Sequence, residues 1–426
     1  MNMIDRLEME SKGYSTYDVR RKEFQKGNTK GINFRVSPKP FKLNKSQRQD
    51  LENIGKAICD YMDACIELYK TDDYVHQILD RGKPDELCDV TDVNYLFLRP
   101  DLILTNNGFS ICEIETSPFG LGLAEILNRA YGNEGFNTVV FQNQLKNYIQ
   151  RHIGKNGTIA YSDKVKAFSG QLDFLAKEVF SGEGKRWKSQ NASIQNIDDK
   201  EIYRAFYLSD KYSDFSIANL LQEPHIFMPT NTPQFEEKAL LAFIWDKRYE
   251  TFFKEKLGVS TFELLRNVIP KTWIIGEEQF VVGGMPGGKT NSLGIADLGK
   301  RSREFVIKQS GFSNGSSWGE GVKFLHKIGG NKSSELIRKA LADKEHLYII
   351  QEFNQGKCVP MTFFDDNGLP KDIDVRIRLT PYYSYSGKDK GKIIAAKVTG
   401  CEKTTEYIHA STASINTAVA YDEREE

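Results

Sequence analysis

Residues 95–122 constrain the fold of this chain more than any other stretch. Two short β runs, Asp101-Leu-Ile-Leu104 and Phe109-Ser-Ile-Cys-Glu-Ile-Glu115, flank Asn106-Asn107-Gly108, a turn sequence that favours a hairpin. A three-residue loop with Gly108 left-handed sets Thr105 opposite Phe109 and Asp101 opposite Glu113. Because strand side chains alternate, Asp101, Glu113 and Glu115 then share one face, with Ile103 and Ile111 nearer the turn. Three acids on one sheet face repel unless positive charge lies between them. A hard divalent cation suits such a cluster, since Mg²⁺ takes one or two carboxylates together with phosphate oxygens. An ordinary surface hairpin with solvated acids has the same pattern, so both readings stand on these residues alone.

The 426 residues predict two or three domains. Lys+Arg and Asp+Glu are equal at 58 each, which removes the overall field expected of a nucleic-acid binder. The first 48 residues are the local exception, with 12 basic against 5 acidic residues, as in a solvated arm or an anion-contacting segment. No apolar run is long enough for a membrane span, and the opening MNMIDRLEMESKGY lacks the pattern of a secretory leader. Six scattered cysteines include no C-x-x-C pair and no zinc spacing, which suggests a reducing, cytoplasmic setting.

Residues 1–94 read as a basic arm and a helical segment, with apolar helical spacing over 46–82, and 95–135 as the acidic hairpin and a following helix. Residues 136–265 alternate β runs, NTVVF, TIAY and IYRAFYL, with helical stretches, including a long helix over 234–256. This is the pattern of an α/β layer. Residues 266–426 are rich in strand and glycine, an α+β pattern with antiparallel pairing.

In that last part Lys308 ends the β run EFVIKQ and precedes a loop with Gly311, Ser313, Gly315, Ser316, Gly319 and Gly321. Backbone N–H groups and hydroxyls of such a loop can approach a polyphosphate, although glycine loops also occur without ligands. Gln351 and Glu352 end the strand LYIIQEF, where an edge can meet a purine and a carboxylate a ribose. Arg376 and Arg378, two apart on one strand, suit phosphate or carboxylate unless acids such as Asp374 pair with them.

The sequence Gly283 to Thr290 fits a P-loop pattern, but Gly294 and Gly299 interrupt what should be its helix, and a mobile lid loop is the better reading. The six histidines form no catalytic set, and His409 reads as a loop histidine.

Arg99-Pro-Asp101 followed by Glu113-Ile-Glu115-Thr-Ser-Pro-Phe-Gly120 resembles the metal-binding end of the ATP-grasp ligases. Pro270-Lys-Thr-Trp273, Val306-Ile-Lys308 with its loop, and Ile350-Gln-Glu352 resemble that family's nucleotide half. The metal hairpin comes first here, an order similar to the circularly permuted ATP-grasp enzymes, among them glutathionylspermidine-synthase-like and other peptide-forming proteins. The likeness covers roughly residues 95–130 and 225–410. It departs at Glu115, where the family has asparagine, and over 283–303, which is longer than the usual connector.

The resemblance implies an α+β, circularly permuted ATP-grasp-like fold and the cofactors ATP and Mg²⁺. Asp101, Glu113 and Glu115 would hold the metal. Lys271, Lys308, Ser313, Gly315, Ser316, Gly319, Gln351 and Glu352 would bind nucleotide, and Arg376 or Arg378 would stabilise the transferring group. The implied reaction joins a small-molecule or peptide carboxylate to an amine through an acyl phosphate, without nucleic acid or membrane. A phosphotransferase or a non-catalytic nucleotide-binding protein on the same fold remains the alternative.

Overall fold

In the computed structural model, residues 34–88, 92–117, 119–276, 280–281, 289–313, 321–364, 369–405, 407–408 and 414–422 are described. Their architecture is mixed α/β, with three sheets of more than two strands arranged so that two of them face one cleft.

The largest sheet joins distant parts of the chain. The acidic hairpin, Phe97–Thr105 with Gly108–Glu115, pairs along the long strand Pro370–Ser384. That strand pairs with Cys358–Phe364 and Ile393–Glu402, and the sheet continues through Ser414–Thr417 to Phe34–Val36. Its two faces differ in chemistry. Leu102, Leu104, Ile111, Ile377 and Leu379 point into a core with the 27-residue helix Lys45–Thr71. Arg99, Asp101, Ile103, Arg378 and Lys397 line the cleft instead. The period-2 alternation of a half-buried sheet therefore separates structure from chemistry residue by residue.

The helix begins at a reciprocal cap, Asn44 with Gln47, and ends at Asp72, whose side chain caps the next helix, Asp73–Asp80. The helical spacing over 46–82 is thus two helices with a break at Asp72.

The second sheet is antiparallel, in the order Val322–Phe324, Phe305–Gln309, Tyr348–Glu352, Thr272–Ile274. Phe305, Ile307 and Ile350 pack into a core with the helix Gly330–Ala342, while Val306, Lys308 and Gln351 look into the cleft. The third sheet is parallel. Asn156–Tyr161 lies at its centre, with Arg186–Asn191 on one side and Glu201–Ala205, then Ile226–Met228, on the other.

Two expected elements differ. The run NTVVF makes no strand; Thr138 forms a single bridge to Ala420. The long helix over 234–256 is broken into Pro233–Glu236, Leu240–Phe243, Lys247–Tyr249 and Glu250–Leu257. Asp246 turns the chain by accepting a hydrogen bond from the Arg248 N–H, and Glu237 and Lys238, between the first two pieces, leave helical geometry. Among the described residues, no helix is long and apolar enough to cross a membrane.

Candidate functional site

The hairpin reaches its predicted pairing by an unpredicted route. The loop has two residues, Asn106 and Asn107, so Thr105 faces Gly108, which takes φ +104°. A bulge at Cys112 then absorbs one residue and restores Asp101 opposite Glu113 and Arg99 opposite Glu115. The bulge also reverses which side chains face the core. Ile111, expected beside the acids, is buried against the helix, and Ser110 lines the cleft in its place.

Asp101, Glu113 and Glu115 each bring a carboxylate oxygen within 4.8 Å of the others'. Cations hold this cluster together. Asp101 is bridged by Arg99 Nε at 3.1 Å and Arg378 Nη1 at 2.8 Å, Arg99 Nη2 reaches Glu115 at 2.6 Å, and Lys238 Nζ reaches Glu113 at 2.7 Å. Burial raises the Glu115 carboxyl to about 7, against the pull of Arg99 and with the repulsion of Glu113 and Asp101. Glu115 is therefore an acid whose charge is conditional on its surroundings. Burial works against the charge of Lys238, but Glu113, joined by Glu115 and Glu237, outweighs it and the ammonium titrates above its usual value.

The opposite wall carries Lys308. Its Nζ donates to Gln351 Oε1 at 2.7 Å and to the Cys112 carbonyl at 2.8 Å, so the lysine of the second sheet touches the bulge of the acidic hairpin. Gln351 in turn donates to Thr272 Oγ1 at 2.9 Å. Burial lowers the Lys308 pKa, a cost that bound phosphate would offset. Burial lifts the Cys112 thiol to about 11, which makes it a poor nucleophile.

Sequence reasoning missed three residues here. Glu236, Glu237 and Lys238 sit in the broken helix, where each reaches a different wall. Glu236 pairs with the buried Arg204 and Lys238 with Glu113. Glu237 accepts from Lys83 Nζ at 2.6 Å, from the Gly311 N–H at 2.6 Å and from the Ser310 hydroxyl, and so clamps the start of the glycine loop. The helical spacing of 234–256 concealed them, because a helix would have scattered the three around its circumference. Glu237→Gln is expected to cost about 1.5–3 kcal/mol in urea denaturation, since it weakens charge-assisted bonds to buried donors.

Lys397 was also missed. It is buried, lines the cleft beside Arg99 and Arg378, and donates to Thr399 Oγ1 at 3.0 Å. Burial first, then Arg378 and Arg99, lower its pKa to about 7. Between about pH 7 and pH 10 the unfolded lysine holds a proton that the folded one lacks, so this group makes stability rise with pH across that window. Below pH 7 both states are protonated and the penalty is constant. Lys397→Met is expected to raise the melting temperature at pH 7 and to flatten its rise between pH 7 and 9.5, read by thermal scans.

Most of the sequence candidates meet in this cleft of about 260 Å³: Asp101, Glu113, Glu115, Lys308, Ser313, Gln351, Glu352 and Arg378 all line it. Lys271 and Arg376 do not. Lys271 lines a separate groove at the edge strand Thr272–Ile274, with its Nζ 3.6 Å from Glu352 Oε1. Arg376 lies two residues before Arg378 on the strand, where its side chain packs near Gly356. Asp374 takes Lys403 rather than either arginine. Gly315, Ser316, Gly319, His409 and the basic arm through residue 33 lie outside the described residues, as do Gly283–Gly288 of the P-loop-like segment. Its end is described: Lys289–Thr290 is a strand, followed only by the short turn Leu293–Asp297, without the helix a P-loop requires.

A solved structure shares this arrangement of elements. A glutathione synthetase-like effector from Globodera pallida, determined in its apo form, aligns over 96% of this chain and 96% of its own with a TM-score of 0.52. The likeness is one of fold. Sequence identity is 13%. A protein assigned as a gamma-glutamylcysteine synthetase from Methylobacillus flagellatus KT aligns over 86% of this chain and 85% of its own at 12% identity, and its TM-score of 0.38 adds nothing to the assignment. No protein-family model and no curated protein matches the sequence.

Proposed function

We propose that this chain is an ATP-dependent carboxylate–amine ligase of circularly permuted ATP-grasp type. One observation carries the reading: Lys308 on the second sheet bonds to the bulge of the acidic hairpin, which brings a buried lysine and a carboxylate triad to one cleft between two sheets. The pairing of the early hairpin with the strand Pro370–Ser384 supports the permuted order. The glutathione synthetase-like fold is compatible with it.

The triad fits a divalent ion. Its oxygens lie close enough to share one, and Glu113 and Glu115 are partly open to the cleft. Mg²⁺ held there by Asp101, Glu113 and Glu115 would neutralise the phosphate oxygens of ATP.

The chain's own groups do the rest. Lys308 and the backbone after Gly311 bind the phosphates, and Glu237 sets where that loop begins. Glu352 at the cleft's edge is placed to take a ribose hydroxyl. Arg378, fixed by Asp101, stabilises charge as an oxygen of the substrate carboxylate attacks the γ-phosphorus and ADP departs. The amine nitrogen then attacks the acyl carbon, phosphate leaves, and the amine's proton passes to solvent or to a neighbouring base. The substrates are a small-molecule or peptide acid and an amine.

The nucleotide product tests this reading. With Mg-ATP and pooled acids and amines, chromatography should show ADP and not AMP, and Glu113→Ala should abolish its formation. AMP with pyrophosphate would overturn the proposal.

A further inference from the structure

The cleft continues past the triad into a chamber that the phosphate chemistry does not use. Its walls are the turn after the hairpin and the loops of the parallel sheet. In that sheet Asn156–Tyr161 is central, and the chain runs to one side of it through Arg186–Asn191 and to the other through Glu201–Ala205. The order therefore reverses between Asn156–Tyr161 and Glu201–Ala205, and ligands of open parallel sheets bind outside the carboxyl ends of strands at such a point. Phe168 follows the first of these strands, and Tyr207, Leu208 and Ser209 follow the second. All four line the cleft.

The chamber is aromatic. The Phe119 ring lies 5.8 Å from Phe168, stacked, and 5.3 Å from Tyr207, tilted. Leu123 adds an aliphatic wall. The nearby charges, Arg204 and Glu236, neutralise each other. An apolar group entering here would meet the Phe119 and Tyr207 rings, with the buried Phe168 ring stacked behind Phe119.

The chamber is also tied to the reaction centre. Arg99 Nη1 donates to the Phe119 carbonyl at 2.8 Å, and Tyr382 Oη donates to the same oxygen at 2.8 Å. Gly120, with φ +88°, turns the chain so closely past Lys397 that a Cβ there would lie 3.3 Å from its Cε. Lys397 has no carboxylate partner among the described residues, unlike Arg99, Arg378 and Lys238. The buried Lys397 Nζ, bonded to the Thr399 hydroxyl at the mouth of an aromatic chamber, fits the head of an organic acid.

We propose that Lys397 receives the carboxylate of the acid substrate and that Phe119, Phe168 and Tyr207 take its apolar, aromatic or branched aliphatic side chain. This names the acid of the proposed ligase and rests on that reading for its role. The side chain would sit at the switch point of the parallel sheet, with the carboxyl directed toward Arg378 and Lys308.

The test is direct binding without nucleotide, so that it does not depend on turnover. 3-Phenylpropionate, L-phenylalanine, L-leucine, L-glutamate and spermidine would be titrated into the full chain by calorimetry. The apolar acids should bind more tightly than L-glutamate and spermidine. Phe168→Ala should weaken them by about tenfold or more, the loss expected when an aromatic wall is removed. Lys397→Met should weaken every acid while leaving Mg-ATP binding intact. Phe168→Leu covers the case in which the alanine variant does not fold. Preference for L-glutamate or spermidine, or no binding of any apolar acid at millimolar concentration, would overturn the assignment. Apolar acids that bind while Mg-ATP yields no ADP would leave the subsite standing and remove the ligase reading instead.

Discussion

Lys308→Met is expected to lower ADP formation from Mg-ATP by about two to three orders of magnitude, the loss typical of removing one preorganised donor aimed at developing charge. Lys308 is buried, with its ammonium fixed by Gln351 and by the backbone of the acidic hairpin, so its position is set by the fold itself. Preorganisation of that kind costs the folded protein something, because burial already lowers its pKa. Methionine has a similar length and no charge, and it relieves that cost while stranding only Gln351 Oε1 and one carbonyl. The melting temperature should therefore change little while turnover collapses. Steady-state ADP release and a thermal scan on the same preparation check both halves. Unchanged turnover would remove Lys308 from the phosphate site, and a collapse in stability would make it a structural lysine.

Asp101→Ala should do the opposite and unfold the protein first. Asp101 is almost fully buried and pairs with two guanidiniums, Arg99 and Arg378, which the substitution would leave facing each other across a low-dielectric cleft. Breaking a buried ion pair by removing one partner costs about 3–5 kcal/mol. Burial lowers the pKa of both arginines, yet both titrate above their usual range because Asp101, joined by Glu115 and Glu113 at Arg99 and by Cys112 and Tyr407 at Arg378, outweighs it. Asp101→Asn keeps the shape and one acceptor, so it should cost less stability while still removing the carboxylate from the triad. Denaturant midpoints for the two variants check this ordering. Equal and small losses would mean that solvent screens the cluster.

The legible part of the chain was the part with strict local periodicity. The hairpin, the lysine strand Phe305–Gln309 and the strand Tyr348–Glu352 follow from alternation and turn chemistry, and Asp101, Glu113, Glu115, Lys308 and Arg378 do converge. The convergence was right for partly wrong reasons. A two-residue loop and a bulge at Cys112 cancel in register, and nothing in the sequence around Cys112 announces a bulge. Glu236, Glu237 and Lys238 were hidden by a helical hydrophobic period that tertiary ion pairs override. Lys397 was hidden because its neighbours, KIIAAKVTG, read as a plain buried strand, and only the packed sheet shows that its side chain shares a face with Arg378. The aromatic chamber depends on Phe119, Phe168 and Tyr207 meeting from three separate segments. Local pattern carries no information about such meetings.

The broken helix also suggests how the cleft keeps its shape. Three consecutive residues, each one peptide from the next, connect the parallel sheet, the glycine loop and the acidic hairpin. The Glu237→Gln variant separates the loop from this junction without touching the triad.

The most direct test of the account is the mass of what the protein makes. Incubation with Mg-ATP, an apolar acid series and a pool of amino acids, peptides and polyamines should give ADP, free phosphate in equal amount, and a product lighter than its two precursors by one water. A product heavier than one precursor by a phosphoryl group, with no free phosphate, would contradict the ligase account and make the protein a kinase.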